Sequence, residues 1–315
     1  MNNDSIILVF TLSGLEGLMM TTTTRSALFS FTLLWYCMII MVNVVLIVTI
    51  IMDRNLHEPM YILLCNLCIN GLYGTAGFYP KFLLDLLSYS HVISYAGCLV
   101  QNFVIYSYAC RDFSILSVMA YDRYVAICRP LQYHSVMTKQ RVTQLVSFSW
   151  FVPLFLISMG TIFTSRLRLC GSHIKKLYCA NGLIAQLSCS PTSWITSTTP
   201  SNSTALLITV TYFLHVVFIV CTYVYLVRSC LRSLVDRGKF MQTCLPHLIS
   251  LFHVTVALLF DVLHTRLNGT SDLPQNLKNF LAIEFLVFPP LLNPLIYGLQ
   301  LSKIRKRILS LCVQK

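Results

Sequence analysis

Met119-Ala120-Tyr121-Asp122-Arg123-Tyr124-Val125-Ala126-Ile127-Cys128 closes a long apolar run and opens onto a basic loop. An acid, an arginine and a tyrosine in a row, Asp122-Arg123-Tyr124, stand where that run meets water. Ionisable groups at the end or in the interior of an apolar span are costly unless they pair, so they tend to mark function. Read alone, the triplet is either an ordinary helix-end ion pair or part of a working site. The residues on either side separate the two readings.

Outward from the triplet, the chain is too apolar for water. Hydrophobic residues make up 56% of its 315 positions and charged residues only 11%, with a mean hydropathy of +0.70. Soluble globular chains carry about 25% charged residues. This composition describes an integral membrane protein.

A bilayer core takes about 20 mostly apolar residues of helix. Charge-free intervals place spans at Ala27–Ile51, Pro59–Leu84, Gly97–Ile127, Val142–Ser165, Ala205–Val227, Phe240–Leu263 and Leu277–Leu299. The first part of the interval between Lys176 and Arg228 is rich in Ser, Thr, Cys and Pro, so only its second part reads as a span. These runs are long and continuous, unlike the short alternating strands of a membrane barrel. The expected fold is an all-α membrane protein, a seven-transmembrane-helix bundle. It comprises an extracellular N-terminal segment (1–26), the helix domain (27–299) and a cytoplasmic tail (300–315). No internal repeat or low-complexity tract interrupts it.

Orientation follows from the cations. With the N-terminus outside, inner segments hold fourteen Lys and Arg, among them Arg123, Arg129, Lys139, Arg141, Arg228 and Lys303. Outer segments hold eight, and Arg111 completes the 23. That asymmetry is the positive-inside pattern. The net charge of +12 therefore faces an anionic leaflet rather than nucleic acid, for which a soluble basic face would be needed. Asn-X-Ser/Thr sequons at Asn3, Asn202 and Asn268 all fall outside in this topology. Asn202 lies close to the fifth span, which leaves Asn3 as the expected glycan site. Ile6–Leu12 is too short for a signal-peptide core and lacks a basic leader, so the first span is expected to direct insertion.

Of thirteen cysteines, Cys98 begins the third span, and Cys170, Cys179 and Cys189 lie in the loop after the fourth. Outer cysteines oxidise, and a bridge that closes a long loop contributes about 2–4 kcal/mol. Spacing does not fix their connectivity. Intervals of about ten residues without clustered histidines do not match a zinc site. No metal or other cofactor is called for, and Cys65, Cys110 and Cys221 read as small core hydrophobes.

Met119–Cys128 resembles the cytoplasmic end of the third helix in rhodopsin-like G-protein-coupled receptors. Run on into Arg129-Pro130-Leu131 and Tyr133, it is similar to the odorant-receptor branch. Leu56-His57-Glu58-Pro59-Met60-Tyr61 resembles that branch's entry to the second helix. Lys239, Thr243-Cys244 and His247-Leu248 resemble its sixth helix, and Pro289-Pro290 with Asn293-Pro294-Leu295-Ile296-Tyr297 its seventh. Each motif alone is weak; in order and on the expected sides of the membrane they reinforce one another. The resemblance implies a plasma-membrane receptor that binds a small odorant and activates a heterotrimeric G protein of the stimulatory, cAMP-raising type. It also implies the pairs Cys98–Cys179 and Cys170–Cys189. It assigns coupling roles to Asp122, Arg123, Tyr124, Tyr223, Asn293, Pro294 and Tyr297.

Proline in a membrane helix frees a carbonyl that side chains or water must satisfy, so Asn293-Pro294 is a place to bend. The resemblance implies that Tyr223 and Tyr297 share the inner end of the bundle, where such tyrosines can exchange partners. Two positions depart from the superfamily. Gly71, beside Asn70, stands where a sodium-binding carboxylate is usual, and Asp112 stands where odorant receptors usually have glutamate, which argues against a sodium site. Arg111 is a second intramembrane charge. Neighbouring helical residues diverge by about 100°, so Arg111 is expected to bridge to Glu284 or Asp261 rather than to Asp112.

A ligand pocket is expected in the outer half of the bundle. Ile105, Tyr106 and Ala109 share a face of the third helix, Leu207 and Thr211 of the fifth, and Thr255, Leu258 and Leu259 of the sixth. Apolar walls with few polar groups suit a small, partly hydrophobic molecule; plain helix packing is the alternative for each residue. By the resemblance, Ile105 stands where amine receptors of the superfamily carry an aspartate, which argues against an amine ligand.

In the tail, Ile304, Ile308 and Leu311 form an apolar stripe, with Lys303, Arg305, Lys306 and Arg307 over much of the remaining surface. This predicts a short amphipathic eighth helix on membrane lipid, with Cys312 at its far end as a candidate for acylation. A frayed basic tail is the alternative. The competing function classes are a secondary transporter or channel, or a non-olfactory small-molecule receptor of the same superfamily. A transporter calls for internal repeats and broken helices in corresponding halves, and the chain lacks the repeats. An intramembrane enzyme calls for a His/Glu metal motif or a Ser/Lys pair at helical spacing, and neither emerges.

Overall fold

The computed structural model describes residues 9–15, 21–189, 200–231, 248–256, 260, 275–300 and 302–313. Its elements run β1 (Val9–Leu12), α1 (Thr22–Met52), α2 (Pro59–Leu87), β2 (Val92–Ser94), α3 (Tyr95–Cys128), α4 (Tyr133–Val136) and α5 (Lys139–Ser165). They continue with β3 (His173–Ile174), α6 (Asn181–Gln186) and α7 (Pro200–Leu231). Residues 248–256 form α8, followed by α9 (Gln275–Val287), α10 (Pro289–Gln300) and α11 (Ser302–Val313). Six helical stretches among the described residues are long and apolar enough to cross a membrane. With α8 as part of the sixth helix, they make the seven-helix bundle.

Helix ends run past the apolar spans because polar caps extend them. The Thr21 hydroxyl accepts from the Thr24 N–H to start α1 five residues before Ala27, and Ser94 does the same through Gly97 for α3. Such caps satisfy N–H groups that the helix itself leaves orphaned.

The seventh helix does not run unbroken. It divides at Phe288 into α9 and α10, because Pro289 and Pro290 donate no backbone hydrogen bond. The carbonyls so freed are served from neighbouring helices. Tyr108 Oη on α3 donates to the Phe285 carbonyl at 3.0 Å, four residues before Pro289. Asn43 Nδ2 on α1 donates to the Pro290 carbonyl at 2.7 Å, four residues before Pro294. Trp35 Nε1 reaches the Val287 carbonyl at 3.2 Å. A buried acceptor without a partner costs about 1–3 kcal/mol. Tyr108→Phe is therefore expected to destabilise the receptor by about that amount, seen as a lower thermal midpoint of the purified protein; an unchanged midpoint would contradict the assignment.

Tyr108 reaches α9 because α2 leaves it room. A Cβ on Gly74 would lie 2.2 Å from Tyr108 Cγ, and one on Gly77 2.5 Å from Val104 Cγ1. Close α2–α3 approach depends on those two glycines.

The outer face carries a small sheet, order β2-β1-β3, absent from the sequence reading. β1 pairs antiparallel with β2 (Phe10 opposite Ile93) and parallel with β3 (Leu12 opposite Ile174). Phe10 and Leu12 alternate inward, fully buried against Cys98, Ile174, Cys179 and Ile184. Both disulfides are present, Cys98–Cys179 and Cys170–Cys189. Gln101 joins the loop to the bundle: its Oε1 accepts from the Cys179 N–H at 3.0 Å and its Nε2 donates to the Gly77 carbonyl at 3.2 Å.

At the inner end, α11 is a helix, as its stripe predicts. Ile304 is fully buried and Ile308 packs on the same core, so these two residues meet protein rather than lipid. Lys303 Nζ pairs with Glu58 at 2.7 Å and Arg307 Nε with Asp53 at 3.3 Å; the Glu58 hydrogen bond holds the Lys303 ammonium above its ordinary pKa. The side chains of Leu311 and Cys312 lie outside the described set. Ile308→Asp places a charge against the apolar core and is expected to lower surface expression, measured by antibody binding to intact cells. Wild-type surface density would contradict a docked tail helix.

Candidate functional site

Asp122 and Arg123 lie in the last two turns of α3, just before the loop carrying α4. Asp122 is buried, its side chain only 1% exposed, whereas that of Arg123 is 15% exposed. Both Asp122 oxygens are engaged. Oδ2 accepts from Arg123 Nε at 2.9 Å and also from Nη2, and Oδ1 accepts from Tyr133 Oη at 2.8 Å. A buried carboxylate needs such partners to offset its desolvation. Burial, with the charge and hydrogen bond of Asp122, raises the Tyr133 phenol above its ordinary pKa. Tyr133 entered the sequence reading only as part of a motif; its contact with Asp122 spans a turn that spacing does not reveal. Tyr124 instead packs beside Val125, Met137 and Val142, with the Arg129 guanidinium 5.9 Å from its ring centroid.

Tyr223 and Tyr297 are buried in one apolar cluster with residues of α2 and α3. Asn293 is buried, and its Oδ1 accepts from Ser250 Oγ at 2.5 Å, tying α8 to α10. Pro294 is buried on the next turn position. A second tie lies further out: His253 Nε2 is 2.6 Å from Glu284 Oε1, joining α8 to α9. Neither Ser250 nor His253 belongs to a motif, so nothing in the sequence singled them out.

That tie corrects the expected bridge from Arg111 to Glu284. Arg111 is 1% exposed and lies among aromatic rings, its Cζ 3.9 Å from the Tyr73 centroid and 4.5 Å from that of Trp150. Its Nε donates to the Ser107 carbonyl at 3.1 Å. Trp150 is itself held by Nε1 donating to Asn66 Oδ1 at 3.0 Å. A desolvated guanidinium between two aromatic faces gains from both ring quadrupoles, which replaces the acid the sequence seemed to require; Asp261 lies outside the described residues. Asp112 points away from Arg111, and its Oδ1 accepts from Asn70 Nδ2 at 2.6 Å.

The outer candidates divide. Ile105 and Ala109 are buried in a cluster with Phe78, Tyr79, Tyr108 and Phe285, and Tyr106 packs against it. Thr255 is half-buried on α8, while Leu258 and Leu259 lie outside the described residues. Leu207 does not line the interior: it is 53% exposed on the outer face of α7. Thr211, one turn on, donates its hydroxyl to the Leu207 carbonyl and faces a lateral groove between α3, α5 and α7. Helical spacing places both on one face of α7 but leaves open which way that face turns. Asn3 also lies outside the described residues.

Comparison with known proteins decides the family. The olfactory receptor family profile matches residues 31–315. The chain belongs to the olfactory receptor family. It is 32% identical to human Olfactory receptor 11H6, covering 97% of this chain and 91% of that one. It is 33% identical to Olfactory receptor 1D2 of Pan troglodytes over 91% of this chain and 89% of the relative. It is also 33% identical to human Olfactory receptor 4E1 over 100% and 96% respectively. This olfactory receptor is thus a multi-pass protein of the plasma membrane, in a family of receptors rather than enzymes.

Proposed function

We propose that this olfactory receptor binds a small, partly hydrophobic odorant in the outer half of its bundle, beside Ile105, Tyr106, Ala109 and Thr255 with Leu258 and Leu259. Binding favours a more open arrangement of the inner ends and admits the tail of a heterotrimeric G protein of the stimulatory, cAMP-raising type. The ligand need only bind the open state better than the closed one. The observation that carries this reading is the doubly held Asp122. Arg123 and Tyr133 satisfy it without a partner protein, as a resting state requires, and Arg123 keeps enough exposure to turn to one. Ser250–Asn293 and His253–Glu284 hold α8 to the seventh helix and are the contacts that opening would break. Asn3 carries a glycan on the outer side, and the exposed Arg305 and Lys306 of α11 lie against the anionic inner leaflet. Nucleic acid has no part in this function.

A chemical-panel screen in cells expressing the receptor, read as cAMP and run beside radiotracer uptake of each compound, tests this reading. At least one small odorant is expected to raise cAMP above mock-transfected cells without being transported. Uptake or current without cAMP would support a transporter or channel instead.

A further inference from the structure

The groove that displaced Thr211 from the interior is a site in its own right. It opens sideways to the bilayer between α3, α5 and α7, with a volume of about 500 Å³. Leu145, Phe148, Leu214 and Phe218 wall it, Ser149 and Thr211 border its inward end, and Arg141 stands at the cytoplasmic mouth. Phe148, Leu214 and Phe218 are 56%, 59% and 45% exposed, so these walls are uncovered by protein. The serines offer little polarity, because Ser114, Ser117 and Ser149 donate to carbonyls of their own helices. The groove is therefore mostly apolar along its walls, with His215, whose Nδ1 lies 2.7 Å from the Thr211 carbonyl, as its polar interruption and Arg141 at its cytoplasmic end.

Among the described residues that cation has no counter-ion. No Asp or Glu occurs anywhere between Asp122 and Asp236, so neither α5 nor α7 offers one. Asp122 itself is taken by Arg123 and Tyr133. Among the described residues Arg141 makes no ion pair, and its side chain is exposed. Length also fits one leaflet. Arg141 and Ser149 are eight residues apart, about 12 Å along a helix, and half of a bilayer core is about 15 Å.

From this charge and shape we propose that the groove binds an acidic phospholipid of the inner leaflet, with its phosphate on Arg141 and one acyl chain along Phe148, Leu214 and Phe218. Such a lipid touches Tyr121, the residue before Asp122, and wedges between α5 and α7.

The test uses full-length receptor in neutral detergent, offered phosphatidylserine and phosphatidylcholine of matched chains, with retained lipid counted by native mass spectrometry. Wild type is expected to prefer phosphatidylserine by about fivefold, the weight of one basic side chain at an anionic surface. Arg141→Gln is expected to lose that preference. Leu214→Trp, which fills the groove and keeps the cation, is expected to lower retention of both lipids. Lys139→Gln removes a neighbouring cation outside the groove and is expected to bind as wild type does. Equal losses in Arg141→Gln and Lys139→Gln would reduce the effect to diffuse surface charge and overturn the site. Undiminished phosphatidylserine preference in Arg141→Gln, or undiminished retention in Leu214→Trp, would overturn it too.

Discussion

Arg123→Ala is expected to cut odorant-evoked cAMP about tenfold or more while the receptor still reaches the cell surface at a measurable level. Expression is expected to fall but stay measurable, because the buried Asp122 loses its Arg123 bonds and keeps only the Tyr133 hydrogen bond. Signalling is expected to fail because, on the proposed function, the guanidinium is the inner crevice's polar handle for the G-protein tail. A hydrogen bond to a charged group is worth about 1.5–3 kcal/mol, so losing one or more lowers coupling roughly tenfold to a hundredfold. Arg123→Lys should fall between wild type and Ala, since lysine keeps the charge but not the planar fork. Full signalling by a well-expressed Arg123→Ala receptor would remove Arg123 from the coupling role.

The second large effect is on folding. Cys98→Ser or Cys179→Ser is expected to cost about 2–5 kcal/mol, the usual loss on removing a native bridge, and to retain the receptor inside the cell. The cost extends beyond the bond. Cys98 and Cys179 are fully buried beneath the small sheet with Phe10, Leu12 and Ile174, so freeing one loosens the loop that Gln101 anchors to α2. Cys170→Ser is expected to be milder, because its bridge closes only 19 residues against 81 and the loop-entropy term grows with loop length. Surface labelling measures both, and wild-type density for Cys98→Ser would contradict the staple.

The bundle was legible because charge-free intervals long enough to span a bilayer admit few alternatives. The inner site was legible where it is local: Asp122 and Arg123 are adjacent, and the tail's apolar stripe shows in its period. What escaped is long-range. Phe10 pairs with Ile93, and Leu12 with Ile174, across separations no local pattern records. Arg111 looked as though it needed an acid because Tyr73 and Trp150, each almost forty residues away, come together only when α2 and α5 pack on α3. Leu207 was misplaced for a different reason: a repeat of three or four residues defines a face, and only packing defines its direction. Prolines in the seventh helix were legible as weak points. That Tyr108 and Asn43 supply the missing donors was not.

On the proposed function, an odorant in the outer bundle drives G-protein activation at Arg123. Its most direct measurement is nucleotide exchange on a purified stimulatory G protein by purified receptor in lipid nanodiscs, with and without an odorant identified in the cAMP screen. Odorant is expected to accelerate exchange with wild type and not with Arg123→Ala. Odorant that binds wild-type receptor without accelerating exchange, or accelerates it equally with Arg123→Ala, would contradict it.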